Sequence, residues 1–86
     1  MDATDIPAFR RAVRAHLAER SAVSQSAATI HRHLAREFVC TVEDTATACA
    51  VLEALGFVAS FFDPLGGATR FYKATAAGII AHERGE

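Results

Sequence analysis

Cys40, Cys49, His31 and His33 are the residues of this chain best equipped for chemistry, and their spacing argues against most of it. The two cysteines stand nine residues apart. That fits neither a Cys-x-x-Cys metal knuckle nor a disulfide framework, so reduced thiols are the expected state. His31 and His33 are two residues apart, on different sides of a helix. Zinc pairs on a helix prefer the i, i+4 spacing. A metal-sensing site would have to join Cys40 or Cys49 to His31. Cys49 falls on an apolar stripe, where a free thiol behaves as a small apolar residue. No metal and no cofactor is expected. The sequence also lacks G-x-S-x-G, a paired-acid motif, a P-loop and a dinucleotide fingerprint. Gly66-Gly67 lies between two strand-like runs and opens no helix, so it is no phosphate cradle. An enzyme is not expected.

The charged residues are the remaining candidates. Formal net charge is −1. Nothing global draws the chain to nucleic acid, so any DNA affinity must come from a local cluster of arginines. Arg10, Arg11 and Arg14 come first, then Arg32 with Arg36, then Arg70 and Lys73. Arg10, Arg14 and Arg32 could line a duplex from the first two helices, and Arg70 and Lys73 could reach a phosphate; each is also explained as a solvated surface. Glu43 and Asp44 begin the third helical segment. The commoner role for acids there is to cap the helix and complement its dipole, by about 0.3–1 kcal/mol each.

The elements that must position these residues follow from periodicity. Residues 1–5 are polar and expected to fray. Asp5 is placed to cap a first helix whose opening turn holds Pro7, where a missing amide proton costs nothing. Ile6, Phe9, Val13 and Leu17 recur at helical spacing and predict a buried stripe, with Arg10, Arg11 and Arg14 off it. That helix should end near Glu19 or Arg20. Residues 21–26 read as a turn, and Ser24 or Ser26 can cap the second helix. Ala27, Ile30, Leu34 and Phe38 then face the core, with Arg32, His33 and Arg36 outward. Thr41-Val42-Glu43-Asp44 resembles a capping box. Thr45, Cys49, Leu52 and Leu55 follow on the inner side, and Gly56 ends the helix.

Phe57 to Phe62 and Ala68 to Ala74 alternate as strands around the turn residues Asp63-Pro64-Leu65-Gly66-Gly67. Phe57 and Phe61 share one face of the first strand, Val58 and Phe62 the other, so a second apolar face needs cover. Thr75 caps a last short helix containing Ile79 and Ile80. An 86-residue chain that is 51% hydrophobic makes one domain. No apolar run approaches the ~20 residues that span a bilayer. The start Met1-Asp2, broken by Pro7, has no signal-peptide pattern, so a cytoplasmic protein with no membrane partner is expected.

From about Phe9 to Glu83 the chain resembles winged helix-turn-helix transcriptional regulators, including the multiple-antibiotic-resistance regulator type. The residues that carry this are Ser26…Ile30…Leu34, then Thr41…Thr45…Cys49…Leu52-Glu53…Gly56-Phe57-Val58, then Tyr72-Lys73-Ala74-Thr75…Gly78. His31 departs from the pattern, since many such sequences carry a small alanine there. The link from Leu34 to Thr41 is also longer than the tight turn of the simplest helix-turn-helix. The resemblance implies an α+β, mostly α fold: three helices, a β-hairpin wing and a short C-terminal helix. It implies that the helix after Thr41 enters the major groove, with Val42, Glu43, Asp44, Thr47, Ala48 and Val51 outward. None of these is the Arg, Lys, Asn or Gln on which base readout leans. The DNA-contacting set is then Arg32, Thr41, Glu43, Asp44, Thr47, Ala48, Arg70 and Lys73. The partner expected is double-stranded DNA, met by a homodimer. An interaction module whose third helix or wing meets protein is the alternative.

Overall fold

Glycine and capping residues set the limits of the elements in the computed structural model, which describes residues 4–86. The expected fraying at the start falls in part on residues 1–3, outside the described residues. Asp5 is held: its carbonyl accepts the Phe9 amide at 2.9 Å, although its side chain makes no capping bond. Helix α1 runs Ile6–Glu19, with Pro7 in its first turn. Strand β1 is the two residues Gln25–Ser26, and α2 follows at once as Ala27–Leu34. Ser26 caps α2 by accepting the Thr29 amide at 3.3 Å. Helix α3 spans Val42–Ala54, β2 Val58–Phe62, β3 Arg70–Ala74 and α4 Ala76–Glu83. Among the described residues this is a small α+β fold of four helices and one three-stranded antiparallel sheet, mostly helical.

The sheet has the order β1-β3-β2. Gln25 pairs with Tyr72 on one side of β3, while Val58 to Phe62 pair with Ala74 to Arg70 on the other. The segment 21–26, expected as turn alone, is corrected by β1 at its end. A two-residue strand has no periodicity to read; only its partner strand defines it. Both longer strands are shorter than the alternation suggests, since Phe57, Ala68 and Thr69 lie outside the ladder.

The core is one cluster. Phe9, Val13 and Leu17 of α1 meet Ile30 and Leu34 of α2, Cys49 and Leu52 of α3, and Val58 and Tyr72 of the sheet. The Phe9 and Phe38 rings meet edge to face with centroids 5.3 Å apart, the favoured arrangement for aromatic quadrupoles.

Two local devices fix where β2 leaves α3. Gly56, at φ +85°, lets its own amide reach the Glu53 carbonyl and the Phe57 amide reach that of Leu52, both at 3.0 Å. These paired bonds satisfy carbonyls that a helix end leaves open. The Thr75 hydroxyl then donates to the Gly56 carbonyl at 2.6 Å, and the Thr75 amide to the Phe57 carbonyl at 3.1 Å. Gly78 is required beside them, because a Cβ there would overlap the Phe57 carbonyl oxygen.

Candidate nucleic-acid interface

Helix α3 opens on a complete capping box. The Thr41 hydroxyl accepts the Asp44 amide at 3.0 Å, and the Asp44 carboxylate accepts the Thr41 amide at 2.9 Å. That main-chain bond is the chief reason the Asp44 carboxyl sits below its usual range. Asp44 is thus occupied in holding the helix start. Glu43, next to it, is exposed and makes no such bond among the described residues.

The long link into α3 is closed by His31. Its Nε2 lies 2.8 Å from the carbonyl oxygen of Cys40. A carbonyl only accepts, so this nitrogen carries the proton. His31 therefore clamps the end of the connection between α2 and α3. Cys40 and His31 do meet, but through main chain and not through sulfur.

Thr45, Cys49 and Leu52 lie inward on α3 as expected, whereas Leu55, expected behind them, is exposed, and the outward face is narrower than expected. Val42, Glu43, Thr47, Ala50 and Ala54 are exposed, while Asp44 and Val51 are half-buried. Ala48, expected outward as a DNA contact, is 3% exposed and belongs to the core, which is a correction. It packs where α3 crosses α1, beside Phe9. Ala48 also lines the base of an open cleft of about 140 Å³, with Ile6, Arg10 and Thr47 at its walls. The core stripe is Thr45, Ala48, Cys49 and Leu52. An alanine-rich helix gives little contrast between its sides, so periodicity alone can leave a residue at the edge of the stripe, here Ala48, on the wrong side.

Arg70 and Lys73 do not form a common patch. Three residues apart on a strand, they point to opposite faces. Arg70 lies opposite Phe62 in the ladder, and Lys73 opposite Ala59. The Arg70 guanidinium sits over the Phe62 ring at 4.7 Å and donates to the Ser60 hydroxyl at 2.9 Å. Ser60 in turn donates to a Glu53 carboxylate oxygen at 2.5 Å. This relay ties the hairpin to the last turn of α3, and no spacing in the sequence announces it. Lys73 is exposed with no acidic partner among the described residues. Arg32 and Arg36 are exposed on and just after α2 and likewise unpaired among the described residues.

Two further side chains were missed. Arg14, expected off the buried stripe, is 8% exposed: its guanidinium stands over the Phe57 ring at 5.2 Å, and its Nε has no hydrogen-bond acceptor among the described residues. The stem of an arginine can line a core while its head stays at the edge. His16 is buried too, with Nε2 2.8 Å from the Gln25 side-chain oxygen and its ring 4.9 Å from that of His33. Burial pushes the His16 imidazole below its ordinary value, with the Gln25 bond opposing. Its place one turn beyond Val13, flanking the apolar stripe, was the available signal.

The thiols are poorly suited to ligate or attack. Burial, helped by Glu53, pushes the Cys49 thiol up to about 12, and burial also raises that of Cys40. Among the described residues no group of three or more His, Cys, Asp and Glu is placed to hold a metal ion. No described helix is long and apolar enough to cross a membrane. No family model matches the chain, and no curated protein matches it.

Proposed function

We propose that this chain is a small DNA-binding transcriptional regulator of the winged helix-turn-helix kind, acting in the cytoplasm as a homodimer. The observation that carries this reading is the delivery of α3. A capped, exposed helix start stands after α2, and the β2–β3 hairpin is hydrogen-bonded to the helix's far end through Glu53, Ser60 and Arg70. That is the arrangement in which one helix meets the major groove while a hairpin flanks it. Phosphate contacts supply most of the affinity, from Arg32, Lys73, the exposed Arg11 and the half-buried Arg10 of α1. Arg70 serves the backbone only at the cost of its Ser60 bond. Base selectivity is modest: the outward face offers the Thr47 hydroxyl and the Glu43 carboxylate, which can accept from a cytosine amino group.

A second reading is favoured by one specific observation. The outward face of α3 carries an acid and several small or apolar residues but no cation. A protein partner would suit that surface better than a phosphate backbone does.

The test is a salt titration of duplex binding by fluorescence anisotropy. Each of Arg32→Ala and Lys73→Ala should reduce the slope of log affinity against log salt by roughly 0.9 for every phosphate left without its cation. Slopes unchanged in both variants would remove these residues from the backbone and favour the interaction module.

A further inference from the structure

The open edge of β2 is an unprotected feature of the surface. Strand β2 ends the sheet, since β3 lies on its one side and no described strand on the other. Natural edges are blunted by lysine, proline, bulges or an overlying element. Val58–Phe62 reads Val-Ala-Ser-Phe-Phe and contains neither charge nor proline. Its Phe61 and Phe62 are 42% and 53% exposed.

Which main-chain groups face that edge follows from the ladder. The Thr75 amide donates to the Phe57 carbonyl, so Phe57, Ala59 and Phe61 turn their main-chain groups toward β3. By alternation Val58, Ser60 and Phe62 turn theirs to the open side. The same parity holds across β3, where Tyr72, paired with Ser60, faces away toward Gln25.

We propose that a second copy of this chain docks on this edge, β2 against β2 and antiparallel, about a two-fold axis through Ser60. This deepens the homodimer proposed above and does not depend on DNA. Self-pairing is what the residue order fits. Centred on Ser60, it sets Ser60 against Ser60, Val58 against Phe62, and Ala59 against Phe61. Each exposed phenylalanine thereby meets a smaller side chain, and Phe61, stacked within its own copy on Phe71 with centroids 6.3 Å apart, comes opposite the second copy's Ala59. Shifting the register by one residue would turn the amides away from one another.

Charge complementarity extends the match. Neither strand carries a charge to be opposed by its own copy. One step beyond the strand the second copy's Asp63 comes opposite Phe57. That is the ring over which Arg14 sits, buried and without an acidic partner among the described residues. Because α3 reaches the sheet through Ser60, the symmetry also sets both α3 helices on the same face of the joined sheet.

Sedimentation of the full chain tests this with two variants. Ser60→Pro removes the outward amide donor, which an edge strand tolerates where its nitrogen faces outward, and with it the hydroxyl that joins Glu53 to Arg70, so Ala59→Lys is the variant that leaves this relay intact. Ala59→Lys adds the charge that natural edges use and disturbs no buried group. Wild type should sediment as a dimer at micromolar concentration. Each variant, folded by circular dichroism, should weaken that dimer by about tenfold or more, since both copies are altered at once. A monomeric wild type would overturn both this pairing and the homodimer. A dimer unchanged by Ala59→Lys, or by a folded Ser60→Pro, would overturn the edge pairing and leave a homodimer formed elsewhere.

Discussion

Replacing Gly78 by alanine should destabilise the protein, against what helix propensity alone predicts. Gly78 lies in the first turn of α4, where alanine would ordinarily gain about 1 kcal/mol over glycine. The added Cβ would overlap the Phe57 carbonyl oxygen and stand 3.1 Å from its carbonyl carbon. Both are backbone atoms and cannot rotate away. The same oxygen accepts the Thr75 amide at 3.1 Å, so relieving the clash strains that bond. Overpacking of this kind costs about 1–3 kcal/mol. A weakened internal hydrogen bond adds about 0.5–1.5 kcal/mol. After the propensity gain, the net loss is about 0.5–3.5 kcal/mol. For a domain of this size each kcal/mol moves Tm by roughly 4–8 °C. The assay is a thermal melt followed by circular dichroism, with Ala77→Gly as the control that lowers propensity and leaves Phe57 untouched. A Gly78→Ala protein melting at or above wild type would refute the close approach of α4 to the α3–β2 corner.

Other outcomes follow from the histidines. His16 is buried with its folded value lowered, so the unfolded chain binds the proton first as pH falls. Stability should therefore be full above the ordinary value of 6.5 and decline as pH drops below it toward the lowered folded value. His16→Gln, which stays neutral and can still bond Gln25, should flatten that part of the profile in urea melts at several pH values. His31→Ala should lose the clamp on the Cys40 carbonyl and cost about 1 kcal/mol in the same melts. An unaltered midpoint would mean that the α2–α3 link holds itself.

The helix starts were legible because their chemistry is local. Ser26, Thr41 and Thr75 each accept an amide from the first turn they open, and Gly56 takes the left-handed backbone its position demands. The apolar stripe of α1 was legible for the same reason: Phe9, Val13 and Leu17 differ sharply from their neighbours. What stayed hidden depends on partners far along the chain. Strand β1 exists only because Tyr72 and Phe71 lie beside it. Ala48 could not be told from Ala46 or Ala50, since alanine suits either side of a helix. Charge alone puts Arg14 outward, yet the Phe57 ring gives its head a place at the core's edge. At the candidate interface, residue types could be read but not their engagements. Arg70 looks as free as Lys73 until Ser60 and Phe62 are seen around it.

The most direct test of DNA recognition by α3 is to remove the charges at its start. Glu43→Gln and Asp44→Asn together neutralise both acids, and Asn keeps a side-chain oxygen for the Thr41 amide. The variant must first be shown to be folded, because losing the charge at the helix start costs up to about 1 kcal/mol. If α3 enters the major groove, affinity for duplex of arbitrary sequence at low salt should rise several-fold, measured by fluorescence anisotropy. A folded double variant that gains no affinity would contradict groove entry and assign the helix to a protein partner.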